Sequence, residues 1–160
     1  METHKRIIIT GKGGSGKDLL KTRFIKKGFK PSISFTTRPP RKGEVDGVDY
    51  YFINDRTFDR MIGKKEFFEF KEFRDWMYGT HVSDFASCDV FILTPPAISE
   101  MPKIIRDSSI VIYIDIEESI LNKRLSDRND ADVVKRRVKA DREMFDVFVD
   151  YDMRITDPTF

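Results

Sequence analysis

The chain has 160 residues, with 29 lysines and arginines against 27 aspartates and glutamates, a net charge of only +2. A chain of this length reads as one domain burying about 70% of its unfolded surface, and so even a charge balance offers no bulk electrostatic case for a nucleic-acid partner. A lone Cys88 excludes an internal disulfide and fits a reducing compartment; with no apolar run of membrane-spanning length and no signal-peptide core in "METHKRIIIT", the expectation is a small cytoplasmic protein with no membrane partner.

In chain order, "RIIIT" (6–10) is a continuous β-branched run, the pattern of a parallel strand buried on both faces. "DLLKTRFIKKG" places Leu20, Phe24 and Ile25 on one helical face and ends at Gly28, a helix C-cap. Residues 32–82 break this rhythm. They are rich in aromatics, "SISFTTR" and "VDYYFI" alternate as strands do, and "DRTFDRMIG" reads as a short capped helix. Buried-strand patterns return with "VFIL" (90–93) and "IVIYIDI" (110–116). "EESILNKRL" opens a helix with acids in its first turn. From Ala131, the spacing of Val134, Val138, Phe145 and Phe148 predicts an amphipathic helix. Alternating strands and helices around a β-rich insert predict an α/β fold with a parallel central sheet.

The stretch "IIITGKGGSGKDLLKT" (7–22) carries Gly11, four residues, then Gly16 and Lys17, between a predicted strand and a predicted helix. That is the context a phosphate-binding loop requires. Its glycines let backbone N–H groups turn around phosphate oxygens, Lys17 brings a charge to the terminal phosphates, and the helix N-terminus adds its dipole. The candidates here are Gly11, Gly13, Gly14, Ser15, Gly16, Lys17, Asp18 and Leu19. Asp18 stands where such loops carry a Ser or Thr hydroxyl for Mg2+. A carboxylate is also a hard oxygen ligand, which makes Asp18 a candidate metal ligand, repulsive toward phosphate without the ion. It reads equally as an exposed acid favoured by the helix dipole.

A second, longer pattern, "SISFTTRPPRKGEVDGVDYYF" (32–52), resembles the guanylate kinase signature, and "EFFEFKEFRDWMYGT" (66–80) looks like that family's second acceptor segment. With the phosphate loop and "EMFDVFVDYDMRITD" near the C-terminus, the resemblance covers nearly the whole chain. It implies a P-loop three-layer α/β/α fold forming one domain. The core would be residues 1–31, 88–123 and 141–160, the GMP-binding subdomain 32–87 and a helical lid 124–140.

Physical chemistry supports the assignment from the residues themselves. A monophosphate needs bidentate cationic donors, and Arg38 and Arg41 supply them on a proline-stiffened turn, with hydroxyls from Tyr50 and Tyr78. The resemblance makes these the acceptor-phosphate ligands, with Glu44 bracing the arginines. It makes Glu69 the carboxylate that reads guanine N1–H and N2–H2, and Ser34 the hydroxyl on O6, with Gly79 and Thr80 alongside. Adenine, with the opposite edge, would leave Glu69 unpaired, a discrimination on the order of a thousandfold.

Phosphoryl transfer also calls for arginines that close over the gathered charge. "NKRLSDRNDADVVKRRVKADRE" offers Arg124, Arg128, Arg136 and Arg137. The resemblance places Arg124 on ATP and Arg128 in the first lid group; Arg136 or Arg137 is the second. Arg142 reads as part of a charged helix face. Lys17, Arg38, Arg128, Arg136 and Arg137 are therefore the candidate catalytic residues. No general base is needed, because the acceptor phosphate is already a nucleophile near neutral pH.

Departures from the family pattern concern the metal side. Where guanylate kinases carry acids after "IL", this chain has Thr94 and Pro96, and Asp115 is not their replacement. The segment from Thr80 to Phe91 is short, implying a trimmed helix, and the sequence ends soon after Asp157, where the family continues into a final helix. His4, His81 and Cys88 offer no ligand cluster, and Trp76 and the phenylalanines read as packing. The implied activity is Mg2+-assisted transfer from ATP to GMP, and to dGMP, by a monomer or homodimer. The alternatives are a binding module that keeps the acceptor pocket for a phosphorylated partner, or a kinase for another monophosphate.

Overall fold

The computed structural model describes residues 5–73, 75–127 and 131–160, the side chains of 131–137 excepted. In chain order the elements are β1 (Arg6–Gly11), α1 (Lys17–Lys26), β2 (Phe35–Thr36), β3 (Tyr51–Phe52), α2 (Asp55–Gly63), β4 (Phe67–Phe73), β5 (Trp76–His81), α3 (Asp84–Ser87), β6 (Val90–Ile92), α4 (Pro95–Ser99), α5 (Lys103–Asp107), β7 (Ser109–Ile114), α6 (Glu118–Ser126), α7 (Ala131–Phe145) and β8 (Met153–Ile155). They divide into two compact units, one of residues 1–29 and 89–160 and one of residues 30–88. No helix among the described residues is long and apolar enough to cross a membrane.

The first unit is built on a sheet of order β6-β1-β7-β8 in which every pairing is parallel. Its β-branched runs follow from that position, since a central parallel strand is covered on both faces. On one face Ile7, Ile9, Val90, Ile112, Ile114, Ile116 and Leu121 form a cluster that takes in Leu20 and Phe24 of α1. Tyr113 meets Phe145 in a stacked pair at 5.4 Å, with Phe148 and Tyr151 against its edges. Burial pushes the Tyr113 hydroxyl pKa up, helped by the neighbouring Asp115 charge.

Two expectations for this unit need correction. Ile25 was expected on the buried face of α1, but it is 41% exposed; Leu20 and Phe24, four residues apart, form the stripe, and Ile25 lies one residue round the turn. Phe148 was expected on the final amphipathic helix, which stops at Phe145; Phe148 reaches Tyr113 from the following turn. Gly28 follows α1 with φ +92° and donates to the Ile25 carbonyl, as a helix-ending glycine does.

The second unit holds a sheet of order β3-β2-β5-β4, where β5 pairs antiparallel with both β2 and β4. "SISFTTR" and "VDYYFI" contribute only two-residue strands. Thr36 and Thr37 instead spend their hydroxyls on the backbone of Met77, and Pro39 and Pro40 follow without N–H donors. Helix α2 is capped by Asn54, whose side chain accepts from Thr57 N–H at 2.8 Å. It buries Phe58, which stacks on Phe67 at 4.5 Å, and Phe67 in turn meets Phe35 edge-on. Trp76, expected in packing, is exposed where the β4–β5 hairpin turns.

Gly79 is a packing requirement of that aromatic layer. A Cβ there would lie 2.7 Å from two Phe67 ring atoms and 3.1 Å from Phe58. Phe67 cannot retreat, being stacked on Phe58. Gly79→Ala is expected to destabilise the unit by about 2 kcal/mol, which urea denaturation followed by Trp76 fluorescence would measure; an unchanged midpoint would refute it.

Candidate active site

In the first unit, β1 runs into the glycine loop and the loop into α1. Gly11 permits the tight exit: a Cβ would sit 2.6 Å from Ser15 Oγ and 2.7 Å from the Ile114 carbonyl, a backbone atom of the central sheet. Gly14 and Gly16 adopt φ +79° and +99°. Gly16 is the N-cap of α1, and no side chain caps that helix start, so its first-turn N–H groups face out as an anion site requires. Lys17 folds back over the loop, its Nζ donating to the Gly11 carbonyl at 2.7 Å and the Lys12 carbonyl at 2.9 Å.

Asp18 and Leu19 lie exposed on the first turn. The Ser15 hydroxyl is fully buried and without a partner among the described residues, as is that of Thr10 at the end of β1. Arg124, on α6, bridges two carbonyls, donating to Gly14 O at 3.0 Å and Pro158 O at 2.9 Å. It braces the loop's shoulder. Asp141 was missed by sequence reasoning: its carboxylate accepts from Gly13 N–H at 2.6 Å, and a helical acid far along the chain carries no local signal of that contact.

Around these residues, Thr94 caps α4 ahead of the buried Pro95, and Asp115 pairs with Arg154 and accepts from the Tyr113 hydroxyl. Arg142 pairs with Glu118 of α6. Arg128 lies outside the described residues, and so do the side chains of Arg136 and Arg137. No group of three His, Cys, Asp or Glu able to hold a metal occurs among the described residues.

In the second unit, Arg38 is only 7% exposed. Its Nη1 and Nη2 each donate to a Glu44 carboxylate oxygen at 2.9 Å, and Nη1 also reaches the Pro39 carbonyl. Its guanidinium lies over Tyr50 at 5.4 Å and Phe52 at 5.8 Å, and Tyr50 meets Tyr78 edge-on. The same Glu44 carboxylate accepts from Arg41 N–H at 2.7 Å. The bidentate bond to Arg38 holds the Glu44 pKa below its ordinary value, and Glu44 raises that of Arg38. Glu44 thus braces Arg38 through the side chain and Arg41 through the backbone, leaving the Arg41 side chain exposed.

Beside this cradle the sheet register aligns three further candidates. Glu69 lies directly opposite Thr80, and continuing the β2–β5 register places Ser34 opposite Thr80 on its other side. Directly opposed residues share a face, so Thr80 and Glu69 point the same way, as does Tyr78, two residues from Thr80; Ser34 joins them only by extending the register one residue past the Phe35–Gly79 pair. Gly79 faces the aromatic layer instead. Thr36 and Thr37 were missed by sequence reasoning; they tie Arg38 to β5, Thr36 Oγ1 accepting from Arg38 N–H and donating to Met77 O. The "TT" ahead of Arg38 was their signal.

A parallel sheet whose first strand passes through a glycine loop with a folded-back lysine into a helix defines a P-loop α/β protein. The family model for guanylate kinase matches residues 3–160. The chain belongs to the guanylate kinase family. A guanylate kinase of Clostridioides difficile is 40% identical over 84 residues, covering 51% of this chain and 41% of that protein. One from Thermus thermophilus is 43% identical over 74 residues, 46% of this chain and 34% of that one. These matches span less than half the length of either relative. A guanylate kinase of Lactobacillus johnsonii is 29% identical over 164 residues, 96% of this chain and 80% of its own. The crystal structure of guanylate kinase from Anaplasma phagocytophilum shares the fold, with a TM-score of 0.70 at 19% identity over 99% of this chain and 81% of that one.

Proposed function

We propose that the chain transfers the γ-phosphoryl group of ATP to GMP, and to dGMP, giving ADP and the corresponding diphosphate. The observation that carries this reading is Glu69 paired with Thr80 on the same sheet face as Tyr78 of the arginine cradle, with Ser34 immediately before β2. A carboxylate and a hydroxyl in one row suit the donor–donor–acceptor edge of guanine, and the adjoining cradle suits a phosphate. In this reading Arg41, Tyr50, Tyr78 and the remaining edge of Arg38 hold the acceptor phosphate. The loop amides of Gly14, Gly16, Lys17 and Asp18 and the Lys17 ammonium hold the donor phosphates, Arg124 braces the loop, and Arg128 with Arg136 or Arg137 closes over the transferring group. The rate comes from in-line positioning and charge stabilisation.

Mg2+ fits the loop through one protein ligand. Asp18 is an exposed hard-oxygen donor at the position after Lys17, and Mg2+ commonly keeps waters and substrate phosphate oxygens as its other ligands. When bound, the ion would neutralise charge on the β- and γ-phosphates. Without it, the Asp18 carboxylate repels them.

A coupled assay of ADP release, with GMP, dGMP, AMP, CMP and UMP offered in turn to wild type and Asp18→Ser, tests the proposal. Turnover is expected with guanine acceptors alone, and Asp18→Ser, having lost an anionic ligand, is expected to need several-fold higher Mg2+ for half-maximal rate (roughly threefold to tenfold). The Asp18 replacement also favours a second reading, a binding module with a silent donor loop. Silence with every acceptor, in a protein that still binds GMP, would establish that reading.

A further inference from the structure

The phosphate loop is gripped from behind by a helix far along the chain. Asp141 of α7 accepts from Gly13 N–H at 2.6 Å, a short distance for an amide donor. Two ion pairs flank the contact: Lys12 of the loop lies 3.7 Å from Asp146, and Arg142 pairs with Glu118 of α6. Between them Leu121, Leu125 and Val138 line a small apolar crevice. A Cβ on Gly14 would point at Leu125 and Arg124, so the Gly13–Gly14 shoulder rests on α6 and α7, while Lys17 bonds the Gly11 and Lys12 carbonyls.

A carboxylate beside a phosphate site weakens anion binding by repulsion, so charge alone gives no reason for Asp141 to be there. Its geometry does. With Gly13 N–H committed to the α7 side, that peptide plane cannot rotate, and the amides that follow keep one orientation. A glycine-rich loop without such a tether has many orientations to lose on binding.

We propose that Asp141 is a positioning residue of the phosphate loop, holding the Gly13 peptide so that the following amides are set to receive the donor phosphates. The inference rests on the nucleotide reading of the loop given above. Its test is calorimetric titration of the full chain with ATP and Mg2+, for wild type, Asp141→Ala and Asp141→Asn. The Gly13 amide proton resonance of the nucleotide-free proteins and steady-state kinetics accompany it. Asp141→Ala is expected to weaken ATP binding about tenfold, the worth of one charge-assisted hydrogen bond. Its KM for ATP should rise to match, with kcat and the KM for GMP within about twofold. Asp141→Asn, which keeps an acceptor oxygen, should restore most of the affinity and the Gly13 resonance. Should Asp141→Ala fail to fold, Asp141→Glu, one methylene longer, replaces it with the same expected loss.

Unchanged ATP affinity in a variant that has lost the Gly13 signature would overturn the proposal, leaving a packing contact. Tighter ATP binding by Asp141→Ala or Asp141→Asn would also overturn it, leaving a repulsive charge. A wild type that binds ATP but transfers nothing to GMP overturns the function alone, and the titration still decides Asp141. A wild type that binds no ATP overturns both.

Discussion

Lys17→Met is expected to lower kcat for phosphoryl transfer by about a thousandfold, with little change in melting temperature. The ammonium rests on the Gly11 and Lys12 carbonyls at 2.7 and 2.9 Å, so it is held over the loop before any nucleotide arrives. In the proposed reaction its charge would act where the donor phosphates develop negative charge, and a donor set in place beforehand needs no reorganisation at the moment of transfer. Methionine keeps the length of the stem and removes the charge. Lys17→Arg is not expected to rescue, since a planar fork cannot occupy the site of a compact ammonium capping two carbonyls. Steady-state kinetics with a thermal melt on each variant decide the matter. A kcat within tenfold of wild type would remove Lys17 from the mechanism.

Glu44→Ala is expected to destabilise the unit of residues 30–88 by about 3 kcal/mol, because it leaves the buried Arg38 guanidinium without its bidentate partner. It should also abolish measurable GMP binding, since Arg38 and the Arg41 backbone share that carboxylate. The same pair predicts an acid transition. Arg38 holds the Glu44 carboxyl below its ordinary value of 4.5. A carboxyl with a depressed folded-state pKa contributes its stability fully above the ordinary value and loses it as pH falls through the depressed one. Wild type should therefore lose stability on acidification below about pH 4.5 more steeply than Glu44→Gln, which has no proton to take up there. Trp76, the single tryptophan, lies within this unit and reports its unfolding. Coincident acid transitions for wild type and Glu44→Gln would show that the pair carries no such linkage.

Much of this site lies in contiguous sequence. The loop glycines, Lys17 and the strand before them fall within residues 6–17, so local backbone chemistry is enough to read a phosphate site. Arg38, Arg41 and Glu44 likewise sit within one turn, and their bracing is a short-range matter of a buried cation finding the nearest carboxylate. The contiguous reading failed at Ile25 and Phe148, where helix periodicity was extended past the residues that the sheet covers. It also overran the short strands of "SISFTTR", where threonine hydroxyls and the prolines that follow competed with the ladder for backbone groups, and of "VDYYFI", where the Asp46 side chain accepts from Phe52 N–H.

Sequence alone was sufficient for the parallel α/β class, the phosphate loop and the family signature, because each is written in spacing and residue type along one stretch of chain. Only the tertiary structure set Glu69 opposite Thr80 and brought β2 alongside β5, since strand register is fixed by pairing between segments, Phe35 with Gly79 in the case of β2. Only it brought Asp141 to Gly13, 128 residues away. A hydrogen bond of that span is decided by how α7 packs on α6, and helix packing depends on side chains from both helices at once, which no single stretch of sequence contains.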